Sequence, residues 1–245
     1  MKSRIRGVRH LSAILYFTAC VLAASLALGS WSSWAADGTK ALEPGIKHFG
    51  KSYNELAGDW WNWVVQFPLA TNPIVEDGAV DCTRGQTGKI WFLAGNFGGA
   101  AGEPNPSNRT CTMPGGKALF VPLANSVFWV PEDGANVDEV REMANTSVNP
   151  ISELEISIDG VAIADPFAYR AQSPPGGFAL HFGPLLADFG YGSMPDPRDP
   201  AVADGYWILL APLGKGAHEI HFHSSDPAAF NLEVTYHLMV GKDGN

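Results

Sequence analysis

The chain is poor in cysteine and in basic side chains, and it lacks the short motifs that announce common chemistries. Three cysteines occur among 245 residues. No G-x-S-x-G turn presents a serine nucleophile, and no H-E-x-x-H helix presents a zinc pair. The glycine-rich runs NFGGAAG and PPGG do not lead into a helix with a Lys-Ser/Thr ending, so neither is a phosphate loop. There is no internal repeat, no heptad run and no low-complexity tract, which excludes solenoids, coiled coils and long linkers. Carboxylate pairs for glycoside hydrolysis have no spacing signature, because the two acids usually lie on distant strands.

The scarcity of positive charge becomes sharper once the start of the chain is read. MKSRIRGVRH carries Lys2, Arg4, Arg6 and Arg9 and no acid, LSAILYFTACVLAASLALGS is apolar, and SWSSWAADG is small and polar. This is the pattern of a secretory signal peptide over residues 1–35. Ser33 and Ala35 fit the −3 and −1 positions, with Ala36 as the near alternative for the cut. An uncleaved anchor is the rival, since about 20 apolar residues can span a bilayer; the small-residue end favours cleavage. A lipid anchor at Cys20 is disfavoured, because Phe17 is a poor start to such a motif and an apolar run follows. The leader holds four of the 16 basic residues and none of the 25 acidic ones, which leaves 12 against 25, a net charge of −13. Nucleic acid and anionic membrane surfaces both demand a basic footprint and are excluded as partners on that ground.

Cleavage also removes Cys20. Cys82 and Cys111 are then the only thiols of an exported chain, and they are expected to pair. Closing a loop of this length is worth roughly 3–4 kcal/mol on loop-entropy grounds.

Residues 36–51 read as an extended lead-in, residues 52–240 as a single β-rich domain, and residues 241–245 as a frayed tail. SYNELAGDWWNWVVQFP is an amphipathic helix: Ser52 and Glu55 form a capping box, Tyr53, Leu56, Trp60, Trp63 and Phe67 make the stripe, and Pro68 ends it. Residues 69–88 are a connection rich in turns. Ile90 to Ala94 and Ala118 to Leu123 read as neighbouring buried strands, joined by a loop from Asn96 to Thr110. A further strand is expected to end at Pro131. Asn136 with Glu139 caps a surface helix with Val137, Val140, Ala144 and Val148 on one side. Leu154, Ile156 and Ile158 alternate into a hairpin at Asp159-Gly160. Phe167 to Arg170 and Phe178 to Phe182 are short strand candidates, and residues 183–205 read as a long Gly/Pro/Asp loop. YWILLA is a central strand, and AHEIHFHS and the run from Leu232 to Val240 complete the set. Short strands with two helices predict a mainly β fold, an antiparallel β-sandwich or jelly-roll.

Glu219, His221 and His223 share one face of a strand, so with a third ligand from His181, His237 or Asp226 they are candidates to hold zinc or another transition metal. Asp188, Asp196, Asp199 and Asp204 are calcium candidates, though their spacing matches no defined calcium loop. Phe189 and Tyr191 are the better placed of the aromatic candidates for a sugar face. Trp129 is a weaker one, and Trp207 belongs in the core because its strand is apolar on both sides. Asn108 and Asn145 head glycosylation sequons.

Taken together, GQTGKIWFLAGNFGG, CTMPGGKALFVPLAN and DGYWILLAPLGKGAHEIHF, preceded by GDWWNWVVQFP, resemble a group of exported bacterial proteins of unassigned function. The resemblance covers residues 52–240. It implies a secreted or periplasmic β-rich domain with the Cys82–Cys111 bridge, and it brings no catalytic residues. It also expects a small residue at position 223, which reduces the metal cluster to Glu219 and His221. The expectation is therefore a non-enzymatic binding or structural module with a glycan or cell-envelope ligand and no cofactor. The alternative is a metal-dependent enzyme of cupin-like or hydrolase type. N-terminal sequencing of exported protein should begin near Ala36, and a thiol assay on the unfolded, unreduced mature chain should find no reactive cysteine. An intact Met1 or two titratable thiols would contradict these two readings.

Overall fold

The computed structural model describes residues 41–100, 102–191, 195–228 and 230–243. The leader reading for residues 1–35 lies outside them. Among the described residues the chain runs through β1 (Ala41–Leu42), α1 (Tyr53–Val64), β2 (Gly78–Ala79), β3 (Ile90–Phe92), β4 (Asn105–Gly115), β5 (Ala118–Trp129), α2 (Val137–Val148), β6 (Glu153–Ile158), β7 (Val161–Ala162), β8 (Arg170–Gln172), β9 (Phe178–Leu180), α3 (Pro184–Leu186), β10 (Arg198–Leu210), β11 (Gly216–Ser225) and β12 (Asn231–Asp243).

The strands form two sheets in a sandwich-like arrangement. In the first, β10 is central. β5 lies along one of its edges with β3 beyond it, and β1, β8 and β9 line the other edge in succession. The second has the order β2-β4-β12-β11-β6-β7. Both sheets are mixed rather than antiparallel, because β3–β5, β4–β12 and β2–β4 are parallel pairs.

The inner faces of the two sheets share a core. Leu119, Val121 and Ile208 of the first pack with Ile156, Phe222, Val234 and Leu238 of the second. The other face of the first sheet is covered by α1, whose Leu56, Trp60 and Val64 join Phe120, Trp207 and Leu209. β5 and β10 are therefore buried on both faces, which is why ALFVPLA and YWILL are continuous apolar runs. Each large side chain so buried contributes on the order of 1.5–3 kcal/mol. Trp207 is fully buried, stacked on Phe120 at 5.2 Å and edge-on to Trp60 at 5.5 Å. The second sheet leaves its outer face to solvent, so β11 and β12 alternate in and out.

Both longer helices begin where their caps place them. Ser52 and Glu55 make the capping box of α1, and Asn136 accepts from the backbone of Asp138 and Glu139 at α2. Gly58 sits in mid-helix at a cost in propensity, and its reason is contact: a Cβ there would meet the Phe178 ring at 2.9 Å. α2 rests Val140 and Ala144 on Val202 of β10. The Asp159-Gly160 turn has left-handed backbone at both residues, φ 52° and 77°, as a two-residue hairpin requires.

Several expectations are corrected. The expected loop from Asn96 to Thr110 becomes strand at Asn105: β4 runs 11 residues to Gly115 and holds Cys111 within it. Its alternation was hidden because the inward positions are Ser107, Arg109, Cys111 and Met113, two of them polar. β5 is one strand to Trp129. Pro122, which cannot donate to the ladder, sits where the register with β10 shifts between Tyr206 and Trp207. The presumed 183–205 loop holds α3 and the first half of β10. Asp204 is consequently fully buried, with a bidentate bond from Arg170 (3.1 and 2.6 Å), and the aspartate raises the guanidinium's already high pKa. Residues 166–169 are a 3-10 turn ahead of β8. Residues 241–243 extend β12 instead of fraying, while residues 244 and 245 lie outside the described residues.

The Cys82–Cys111 disulfide is formed, with a Cα–Cα distance of 5.8 Å. Two residues before Cys111, on the same inward face, Arg109 is 1% exposed. Its five N–H groups are all used. Nε donates to the Glu76 carbonyl (2.8 Å), Nη1 to the Ala94 carbonyl (2.6 Å) and the Tyr236 hydroxyl (2.7 Å), and Nη2 to the carbonyls of Ile74 (3.1 Å) and Gly95 (2.9 Å). Removing the guanidinium takes this donor from the carbonyls of Ile74, Glu76 and Gly95, while the Ala94 carbonyl keeps its bond from Tyr236. Arg109→Met is expected to cost about 3–5 kcal/mol, read as a lower urea midpoint, with Arg109→Lys recovering only part of it. A loss under about 1 kcal/mol would show that solvent reaches these groups.

Candidate functional site

A groove of about 520 Å³ lies between α1 and the turn at residues 85–90. α1 contributes Leu56, Asp59, Asn62 and Trp63, and Gln66 follows just past its end. Gly85, Thr87, Gly88, Lys89, Ile90 and Phe92 line it as well, together with Phe49 and Lys51 from ahead of the helix. The lining thus combines aromatic rings with amides, a carboxylate and two ammonium groups.

Each wall is held independently of any ligand. Trp60 Nε1 donates to the Leu93 carbonyl (2.8 Å), which seats α1 on the sheet. Tyr53 donates to the Leu42 carbonyl and accepts from Leu209 N–H, and burial pushes its hydroxyl pKa well up. Asn62 spans to β9, donating to the Ala179 carbonyl and accepting from His181 N–H. On the opposite wall the Gln86 side chain both donates to the Phe92 carbonyl and accepts from Phe92 N–H, in the manner of an added strand. Trp63 Nε1 donates to the Arg84 carbonyl (3.1 Å), and Lys117 to that of Gly88 (2.8 Å). Gly85, at φ 63°, lies so close to the Phe67 ring that a Cβ would approach it to 2.6 Å. Upstream, Thr83 bonds Asp81 and holds its carboxyl below the usual range, and the disulfide fixes Cys82. A wall so tied needs little ordering when something binds.

The sequence-derived candidates lie elsewhere. Glu219, His221 and His223 do share the outer face of β11, as the strand period predicts. Each, however, meets one partner across the sheet: Glu219 to His237 at 3.5 Å, His221 to Glu233 at 3.4 Å, His223 to Asn231 at 3.1 Å. His181 lies beyond β9 beside Asp196 at 3.6 Å, and Asp226 is in the β11–β12 turn. Among the described residues no group of three His, Cys, Asp or Glu side chains is placed to hold a metal ion. The four aspartates are not gathered either. Asp188 accepts from Leu69 N–H, Asp196 from Phe182 N–H, Asp199 lies exposed on β10 and Asp204 is buried with Arg170.

Phe189 and Tyr191 lie in one helical turn, Ala187–Tyr191, that follows α3. Tyr191 lies edge-on to the buried Trp129 at 5.4 Å, and Phe189 edge-on to the exposed Phe97 at 6.0 Å. They make an apolar patch apart from the groove. Of the groove's own residues, Trp63 is legible in the sequence as part of the helix's apolar stripe, whereas Asp59, Lys89 and Phe92 by themselves carry no signal of a site. The available signal was the turn GQTGK directly before a buried strand, next to a helix with more tryptophan than one core stripe requires.

No family model, no curated protein and no solved structure matches this chain. Among the described residues no helix is long and apolar enough to cross a membrane.

The helix that forms one wall depends on an unusually acidic side chain. Glu55 accepts from the backbone and hydroxyl of Ser52 and from Lys47, which lowers its pKa from 4.5 to about 2. A carboxylate with a depressed folded pKa contributes stability that is complete above the unfolded value and is lost as pH falls toward the folded one. The expected result is a stability plateau from neutrality to about pH 4.5 and a decline between 4.5 and 2, followed by tryptophan fluorescence during urea unfolding. Glu55→Gln should flatten that decline; an unchanged decline would assign it to other acids.

Proposed function

We propose that this chain is an exported bacterial, non-enzymatic binding module whose ligand is a glycan or glycan-bearing envelope component, seated in the groove beside α1. The observation that carries the reading is the lining of that groove. Trp63, Phe92 and Phe49 supply ring surface of the kind that packs on the C–H face of a sugar. Asp59, Asn62, Gln66 and Thr87 supply planar or hydroxyl hydrogen-bonding groups at its edge. Small-ligand sites commonly join a mostly formed cleft to a few convergent polar groups in this way. The basic, apolar leader and the engaged cysteine pair support export to an oxidising compartment. The excess of acid over base argues for a neutral or cationic ligand rather than a polyanion. The strand histidines offer no third ligand, so nothing in the geometry favours the metal-dependent alternative.

The test is a glycan microarray probed with the mature chain, followed by calorimetry on whatever it retains. Asp59→Ala should weaken binding tenfold or more. Its ion pair with Lys51 is exposed and worth little to folding, so the melting temperature should hold. Retention of no glycan overturns the proposal. So does a loss of binding in Phe189→Ala with Asp59→Ala unaffected, which would move the site to the other aromatic patch.

A further inference from the structure

We infer that Phe49 is a ligand-stacking residue, kept in the lining of the groove at the expense of the turn that carries it; this rests on the reading of the groove as a glycan site. Two independent observations single it out. The first is its backbone. His48 and Lys51 exchange two hydrogen bonds, 2.8 and 3.0 Å, around the pair Phe49-Gly50, with φ of 52° and 87°. A two-residue turn with left-handed backbone at both positions takes Asn-Gly, Asp-Gly or Gly-Gly. Gly50 suits it. A bulky aromatic at the first position is a genuine outlier, because its Cβ crowds the following carbonyl. Among the described residues, the other left-handed ones that are not glycine are Asp159 and Asp165, short polar side chains that tolerate the conformation.

The second observation is what the ring does. Phe49 is 46% exposed and lines the groove. Other exposed phenylalanines among the described residues lean on an aromatic neighbour: Phe97 and Phe189 on each other, Phe167 on Tyr206. Phe49 has no such ring partner. Its side chain therefore contributes little to the core, while its backbone is strained. Such strain persists where the surrounding structure over-determines it, and it concentrates at binding sites.

The turn is joined to its surroundings by the His48–Lys51 backbone pair and by side-chain contacts on both flanks. Lys47 pairs with Glu55 (3.1 Å) and Lys51 with Asp59 (2.7 Å), so both flanks of the turn are tied to successive turns of α1. His48 Nε2 lies 2.8 Å from the Glu43 carbonyl. The ring lines the cleft, and so does Asp59. A flat ring beside a hydrogen-bonding carboxylate suits a pyranose: the ring takes the C–H face, and the carboxylate accepts from hydroxyls at the sugar's edge.

The experiment compares wild type, Phe49→Asn, Phe49→Trp and Asp59→Ala in the mature chain. The probes are cellohexaose, chitohexaose and maltohexaose, with melting temperature as the second readout. Phe49→Asn should raise the melting temperature by about 2–4 °C, since it relieves roughly a kilocalorie of turn strain in a domain of this size. It should also weaken the tightest probe tenfold or more, whereas Phe49→Trp should hold affinity within about threefold. A lower melting temperature in Phe49→Asn would show that the ring serves folding and overturns the inference whatever binds. Unchanged affinity in Phe49→Asn with loss in Asp59→Ala would leave the groove reading standing and remove Phe49 from it. Failure of wild type to bind any probe overturns both.

Discussion

A buried guanidinium with no carboxylate partner closes one side of the sandwich. Arg109 reaches from β4 in the second sheet to the carbonyls that follow β3 in the first, and to the chain at 74–76, while Tyr236 of β12 supplies the remaining acceptor. Burying a charge is costly unless every donor finds an acceptor. Here five donors find five. Tyr236 completes the network, accepting from Ala94 N–H and donating back to the Ala94 carbonyl. Carbonyls at the end of an edge strand would otherwise face the core unpaired, and the arginine satisfies them without water. The disulfide adjoins this point, so a covalent and a polar tie hold the same seam.

What the seam fixes, the groove inherits. The chain leaving Arg109's ligands at 74–76 leads directly into β2, Cys82 and the Gln86 turn, and that turn is one wall of the cleft. The other wall is α1, seated by tryptophans that face the first sheet. The helix thus does two jobs. Leu56, Trp60 and Val64 bury against β5 and β10, while Asp59 and Asn62 look outward over the cleft. Trp63 belongs to both, packed against Phe67 and Phe92 on one side and lining the cleft on the other.

Exposed histidine and acid on the second sheet illustrate the opposite case, in which a suggestive pattern resolves into ordinary surface. Alternation put Glu219, His221 and His223 on one face, and so it is. Yet ligand sets require three groups converging on one point, and a nearly flat open face spreads them along the strand, each beside a single neighbour on β12.

The sequence alone determined the two longer helices, because their signals are local: a capping box at Ser52 and Glu55, an Asn136 cap, and apolar spacing over three and four residues. It determined the doubly buried strands YWILL and ALFVPLA, the Asp159-Gly160 hairpin and the cysteine pair. It could not determine β4 or the first half of β10. β4 turns Ser107 and Arg109 inward, and β10 buries Asp204 against Arg170, so neither run has the apolar alternation by which strands are recognised; their burial becomes tolerable only when acceptors or a counter-charge from distant segments arrive. Strand direction likewise needed the tertiary structure, since parallel pairing of β3 with β5 and of β4 with β12 leaves no mark on either strand. The groove is the clearest instance. Phe49, Asp59, Lys89 and Phe92 are dispersed along the chain, and only the packing of α1 on the sheet, with the Cys82 turn pinned beside it, makes them one surface.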